Sequence, residues 1–384
     1  MIKHLPIFQI IITICIPIIL ILVFDLDFLN LYGWNDEELL QTLYYCLFLV
    51  SILFVAIKAS SSWSRPLNYK TPKFSTTTIV FISIIFSILI DLYKFQTNQF
   101  FHGINTDISN SGIYSEIIKK LEIINYLAIP LLISKKKWKY LFFTLLIYCI
   151  PEFFSGSKER FLLPILIATV FYYKNGYKLS RQQIIVLVLG LNLFLVSNFS
   201  LRNQNFESYE QLGNNPIAIF LARRINESSA MVAIVSQTKY QSRQDELTYF
   251  QDLKSIVPRF FWPSKPKMTS NNEFAREYGL VVNNDFETSM GRYWYGESYM
   301  NLGYFGLVIA IIYGVLYSRL YNTFKSQRVV NSYLGFMMIY FLIRYDTLVL
   351  GVLSLLRVYI LFLTYLLILS LISLIGRNYL ENEK

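Results

Sequence analysis

Seven arginines fall between residues 201 and 297: Arg202, Arg223, Arg224, Arg243, Arg259, Arg276 and Arg292. A guanidinium is a planar fork of donors that meets two phosphate oxygens at once, so such a set suits a diphosphate where no metal shares the charge. Arg202 and Arg292 each precede a glycine, Gly213 and Gly303, in an Arg-x10-Gly spacing. Each stands where the polar stretch meets an apolar run, level with headgroup phosphates if those runs cross a bilayer. Arg202 and Arg292 are therefore the candidate catalytic pair, binding a diphosphate and stabilising its charge as it leaves. Glu297, at the start of the next apolar run, is the candidate carboxylate that receives a proton from an attacking hydroxyl or orients an arginine. For the other arginines, taken singly, contact with solvent or lipid headgroups is the simpler role.

A second set lies inside the apolar runs. Asp91, Glu122, Glu152, Arg344, Asp346 and Arg357 all sit in the half of their runs nearest one side. Ionisable groups in a span are costly and mark polar cavities or substrate paths, although snorkelling and pairing, such as Arg344 with Asp346 or Arg357, account for any one of them. Together with Arg160, Arg223, Arg224 and Arg259 of the polar segments, Asp91, Arg344 and Arg357 are candidate substrate-binding residues. Glu152 and Asp346 are reserves for the carboxylate. Asp25-Leu26-Asp27 could hold a divalent cation, but acids belong on the external side anyway. With only His4 and His102 as histidines, and Cys15, Cys46 and Cys149 inside apolar runs, no metal site, disulfide or cofactor is expected.

These groups need elements to hold them. Of 384 residues 54% are hydrophobic and 16% charged, and the apolar runs are continuous, as in membrane helices, where barrel strands would alternate. The pattern predicts an all-α polytopic membrane protein with about ten spans: 5–24, 39–57, 76–94, 116–134, 138–154, 160–175, 182–200, 298–319, 333–350 and 353–375. Residues 160–175 are short and carry Pro164, which would suit a thin or tilted helix or a half-span, but the charge pattern of the connections argues for a full crossing. The organisation is seven helices over 1–200, one large external loop over 201–297 and three helices over 298–384. Basic, nearly acid-free connections at 58–73, 135–139, 174–181 and 319–328, and all of the 25 acidic residues except Glu381 and Glu383 on the other side, put both termini in the cytoplasm. The formal charge of +10 is thereby cytoplasmic anchoring, and no nucleic acid is implied. Within the loop, residues 217–236 are apolar at helical spacing with Arg223, Arg224 and Glu227 grouped. This predicts a helix lying in the membrane plane at the interface.

The segments FSGSKERFLLP (154–164), RRINES (223–228), VPRFFWPSKPK (257–267) and GRYWYGESYMNLGYFGLV (291–308), with one large external loop among ten or more helices, resemble the Wzy-type polymerases of O-antigen or capsule repeat units. That resemblance implies a GT-C-like membrane glycosyltransferase of the bacterial cytoplasmic membrane with its active site facing outward. Its substrates would be oligosaccharides on undecaprenyl diphosphate, its product a surface polysaccharide such as capsule or the glycan of lipopolysaccharide. A flippase and a chain-length regulator would be its partners beside the membrane lipids. Arg202 with Gly213 and Arg292 with Gly303 would match the Arg-x10-Gly pattern described for loops of some members, here within one loop instead of two. Other GT-C or ligase-like transferases, a lipid-linked oligosaccharide flippase and a non-catalytic export scaffold remain as alternatives.

Overall fold

The computed structural model describes residues 2–24, 34–67, 76–96, 125–154, 158–178, 180–182, 228–236, 271–280, 293–344, 352, 355–356 and 359–367. Among them every regular element is a helix and no strand occurs. Three helices are long and apolar enough to cross a membrane: α1 (Ile2–Val23), α2 (Asp36–Trp63) and the run Tyr293–Phe324. Shorter apolar helices cover Ile79–Leu92, Trp138–Pro151, Phe161–Lys174 and Val329–Ile343. Of the ten expected spans, 182–200 lies outside the described residues beyond 182, and 116–134, 333–350 and 353–375 are described only in part. The chain divides into two compact units. One takes Met1–Asn68, Glu207–Lys325 and Gly335–Arg357; the other takes Tyr69–Phe206, Ser326–Leu334 and Val358–Lys384.

In the first unit α2 is the longest single helix, and its start is written in the sequence. The Asn35 side chain accepts from the Glu38 N–H at 2.9 Å while the Asn35 N–H donates to Glu38 Oε2 at 3.1 Å, a reciprocal capping box. Asp36, Glu37 and Glu38 in the first turn complement the positive end of the helix dipole. Its 28 residues extend about 42 Å at 1.5 Å per residue, more than the ~30 Å of hydrocarbon in a bilayer.

Lipid tails are as apolar as leucine, so helices in a membrane associate by close contact and hydrogen bonds. The first unit shows both. Leu307–Phe324, the second half of the long run, meets α2 through small residues on each side. A Cβ on Gly314 would lie 2.7 Å from Ala56 Cβ. One turn on, Ser60 Oγ donates to Ser318 Oγ at 2.7 Å and Ser318 Oγ donates to the Ile57 carbonyl at 3.1 Å. Asn322 then closes the end of α2, its Nδ2 donating to the carbonyl of Ser64 at 2.8 Å and of Ser61 at 3.2 Å. These are carbonyls that a helix end leaves without an internal partner. The first turn of α1 is tied to the same corner, where Tyr317 donates to the Ile2 carbonyl and Lys3 Nζ reaches Ser61 Oγ.

The second unit holds α3 (Thr76–Gln96), α4 (Ala128–Ser134), α5 (Trp138–Phe154) and α6 (Lys158–Lys174). The basic connection between α4 and α5 is a tight reversal with Lys136 in the left-handed region at φ 56°; the Lys137 N–H bonds back to the Leu132 carbonyl at 3.0 Å. Gly176, at φ 82°, ends α6 in the same way. The helix α6 has 17 residues with Pro164 inside it, about 25 Å of length, which keeps the half-span reading open on physical grounds. Across this unit Tyr148 donates to the Asn125 carbonyl at 3.0 Å, and the hydroxyls of Ser83 and Tyr365 lie 2.8 Å apart.

Helical elements of the expected loop are described. Residues 293–297, assigned to the loop, are helical, because Trp294, Tyr295 and Tyr299 bury their rings inside the first unit. Residues 228–236, the described part of the expected interfacial helix, are helical and buried throughout, Ser228, Ser229 and Ser236 included. Protein surrounds that segment, so it has no wet face; the serine hydroxyl of Ser236 instead turns back to the Val232 carbonyl at 2.9 Å.

Candidate functional site

The helix α7 (Asn271–Glu277) is capped by Gly279 at φ 66° and buries Phe274 and Ala275 in the first unit. The helix that carries the candidate chemistry is α8 (Tyr293–Leu302). It opens on Tyr293 at φ 52°, a left-handed backbone that a bulky residue rarely adopts. That residue follows Arg292 directly, and its ring stacks on Tyr295 at 5.2 Å between centroids. The helix ends at Gly303, φ 58°, where a 3-10 turn over Gly303–Gly306 joins α9 (Leu307–Phe324). The turn is tight because Gly306 rests on α8: a Cβ there would stand 2.5 Å from the Ser298 carbonyl oxygen. Gly303 thus has a conformational reason of its own, apart from its spacing to Arg292.

Almost every side of α8 is covered. Trp294 stacks on Tyr313 of α9 at 4.2 Å; Tyr45 of α2 sets its ring edge-on to Tyr299 at 4.7 Å and donates to the Tyr295 carbonyl at 3.4 Å. Gly296 admits the segment 228–236, with Ile234 Cδ1 only 2.8 Å from where a Cβ would be. Between these contacts lies Glu297, with 0% of its surface exposed, beside Ser298 and Asn301, also buried. Asn301 Nδ2 donates to the Glu297 carbonyl at 2.7 Å and Ser298 Oγ to the Trp294 carbonyl. Glu297 has further interactions of its own. A carboxylate out of water requires them, since burying an unpartnered charge is among the most expensive things a fold can do. The aromatic shell reaches the surface at Tyr304, which is 54% exposed, lies 5.6 Å from Tyr299 and accepts from Gln41 Nε2 at 3.5 Å.

Chemically this is a buried acidic side chain on a helix whose Trp and Tyr rings pack against α2 and α9. It can accept a proton or hold a guanidinium, and the rings offer apolar faces with polar tips. Tyr313, buried with its hydroxyl unpartnered among the described residues, adds one donor that packing alone does not explain.

Of the candidate residues, Glu297 is the one that the structure describes as fully enclosed. Asp91 is on α3 in the second unit, partly buried, in a groove with α5. Arg160 lies on α6 and Arg344 on α10 (Val329–Arg344), and only their backbone is described. Arg202, Arg223, Arg224, Arg259, Arg292 and Arg357, with Asp25, Asp27 and Gly213, lie outside the described residues. Sequence reading passed over Tyr45, Tyr313 and Tyr317. The signal was present, as tyrosines with polar tips inside otherwise apolar runs, Tyr313 and Tyr317 being one helical turn apart.

All-helical among the described residues, with three helices of membrane-crossing length and composition, the chain belongs to the class of helical membrane proteins. No protein-family model, curated protein or solved structure matches it.

Proposed function

We propose that this protein is a membrane glycosyltransferase that polymerises oligosaccharide repeat units carried on undecaprenyl diphosphate, at the outer face of a bacterial cytoplasmic membrane. The observation that supports this reading is the enclosure of Glu297 on an aromatic helix, five residues after Arg292 in the sequence. The acceptor hydroxyl attacks the anomeric carbon of the donor glycan. A carbon–oxygen bond forms, the bond to the diphosphate breaks with its electron pair leaving on lipid diphosphate, and the hydroxyl proton passes to a carboxylate, with Glu297, enclosed on its helix, receiving it or orienting the arginine that meets the diphosphate. A diphosphate departs without a general acid, so the remaining requirement is charge stabilisation by Arg202 and Arg292. The ring of Tyr304, 54% exposed, is of the kind that packs on sugar faces.

The test is surface glycan length in cells. Deleting the gene should leave single repeats on the surface lipid, whereas loss of a flippase leaves none. Losing a charged hydrogen bond to a transition state costs about two to three decades in rate, so Arg292→Ala and Glu297→Gln at normal abundance should nearly abolish polymer, with lipid-linked single repeats accumulating. Arg292→Lys should restore part, because a point charge replaces the bidentate fork. If Arg202→Ala, Arg292→Ala and Glu297→Gln all leave the length distribution unchanged, the reading is wrong.

A further inference from the structure

Two basic turns meet at one end of the second unit. The first, between α4 and α5, carries Lys135, Lys136, Lys137 and Lys139; the second, at the end of α6, carries Lys178 and Arg181. Each is closed by a residue in the left-handed region, Lys136 and Gly176, and the N–H groups of Lys135, Lys136 and Lys137 are spent on the carbonyls of Leu131, Ile133 and Leu132. An anion arriving here therefore meets side chains and not backbone. Three rings clamp the turns together: Trp138 stands edge-on to Tyr172 at 5.7 Å and to Tyr177 at 5.2 Å, and Tyr172 and Tyr177 are 5.0 Å apart. The cations flank that cluster, since Lys137 and Lys139 are the chain neighbours of Trp138 and Lys178 follows Tyr177. All of these cations are exposed, and among the described residues their side chains form no ion pair or hydrogen bond. Residues 134–140 and 172–183 contain no acid. The C-terminal ends of α4 and α6 bring about half a negative charge each, so roughly five positive charges are left uncompensated. What neutralises them is set by what lies beside them. One turn into α5, Phe142 and Phe143 are 60% and 62% exposed, as on a helix that faces lipid, and Trp138, 40% exposed, is of the ring type that collects where hydrocarbon meets headgroups. The cations thus stand level with lipid phosphates, and the anion within their reach is a phospholipid.

We propose that this end of the second unit binds a phospholipid with two phosphates on one headgroup, of the diphosphatidylglycerol type. One phosphate meets the lysines around Trp138, the other Lys178 and Arg181. A lipid with one phosphate satisfies one group of cations per binding event, whereas joining two phosphates makes the second contact intramolecular. The ring cluster is the positioning device, because it holds the two groups of cations side by side. General attraction of basic connections to an anionic surface needs no such joint; selection of a two-phosphate headgroup does.

The full chain, purified in mild detergent, is placed in nanodiscs of phosphatidylcholine that also contain diphosphatidylglycerol and phosphatidylglycerol in equal amounts of phosphate, and the lipids retained on release are counted by native mass spectrometry. Per phosphate, diphosphatidylglycerol should be enriched over phosphatidylglycerol by about fivefold or more, the contribution of one further basic residue near an anionic surface. Lys178→Gln with Arg181→Gln should bring that ratio close to one while phosphatidylglycerol is still retained over phosphatidylcholine. Trp138→Leu, which leaves every charge in place, should lower the ratio with no change in helix content. Lys58→Gln with Arg65→Gln, at exposed cations of the first unit, should not alter it. Equal retention of the two anionic lipids by the unaltered protein overturns the proposal. So do a ratio that the Lys178 and Arg181 changes or Trp138→Leu leave intact, and a ratio that falls equally with the Lys58 and Arg65 changes. Displacement of diphosphatidylglycerol by soluble polyphosphate at equal phosphate also overturns it, by assigning the patch to a polyanion outside the membrane. The readout is lipid and not glycan, so the outcome is independent of the transferase reading.

Discussion

Two glycines flanking Glu297 separate a steric cost from every other effect of adding a methyl group. Neither Gly296 nor Gly306 has a positive φ, so alanine at either meets no backbone strain. Both changes gain about 0.5 to 1 kcal/mol from the lower entropy of the unfolded chain. They differ in what the new Cβ meets. At Gly306 it would stand 2.5 Å from the Ser298 carbonyl oxygen and 2.7 Å from the carbonyl carbon, roughly an ångström inside ordinary contact distance. That neighbour is backbone of α8 and has no rotamer to change, so the 3-10 turn must open, at about 1 to 3 kcal/mol. At Gly296 the Cβ would be 2.8 Å from Ile234 Cδ1 and 3.4 Å from Met231 Sδ. Both are ends of flexible side chains, and a rotation of Ile234 relieves the contact for a few tenths of a kcal/mol. Gly306→Ala should therefore come out less stable than Gly296→Ala by about 1 to 2.5 kcal/mol, with Gly296→Ala near neutral. Thermal unfolding of the detergent-purified variants, followed by circular dichroism, gives the order. Because Ser298 is the next residue after Glu297, Gly306→Ala should also shorten the surface glycan more than Gly296→Ala. Equal melting temperatures, or Gly296→Ala the less stable of the two, would refute the close approach of the turn to α8.

Two further outcomes test the packing of the first unit and the thiols. Asn322→Leu removes the donor that closes the end of α2 at Ser61 and Ser64 and should lower stability by about 1 to 3 kcal/mol; Asn322→Gln should not recover it fully, and a neutral result for Asn322→Leu in thermal unfolding would count against this cap. Cys15 and Cys46 are buried and Cys149 is partly exposed, so a hydrophobic maleimide added to native protein should modify Cys149 first and the other two only after denaturation, as peptide mass spectrometry would read. Modification of Cys46 as fast as Cys149 would mean that α2 is not covered as described.

Much of the helical content was legible in the chain because hydropathy in a continuous run is a local property. The first, second, third and fifth expected spans correspond to helices with limits a few residues away, and a reversal at 135–137 separates two helices between the runs expected there. The start of α2 was equally available, in Asn35 and Glu38, to a reader looking for a capping box. The helical start at Tyr293 was not. Polar and aromatic residues lower the hydropathy of YWYGES, and only the partners of those rings, Tyr45 on α2 and Tyr313 on α9, make a helix there favourable.

The candidate site divides along the same line. That Arg292 and Glu297 stand close along the chain and that Asp91 lies in an apolar run are facts of order and residue type, and they singled these positions out. What tertiary structure decided is environment. Glu297 passes from the expected mouth of a span to complete enclosure because the segment 228–236 packs on Gly296 and the turn at Gly306 closes on Ser298. Asp91 and Pro151, sixty residues apart, come to line one groove. The contact of Gly314 and Ser318 with Ala56 and Ser60 likewise depends on residues separated by some 260 positions. Hydropathy and residue chemistry are carried by each residue alone, but burial and close approach are properties of pairs, and only folding selects which pairs meet.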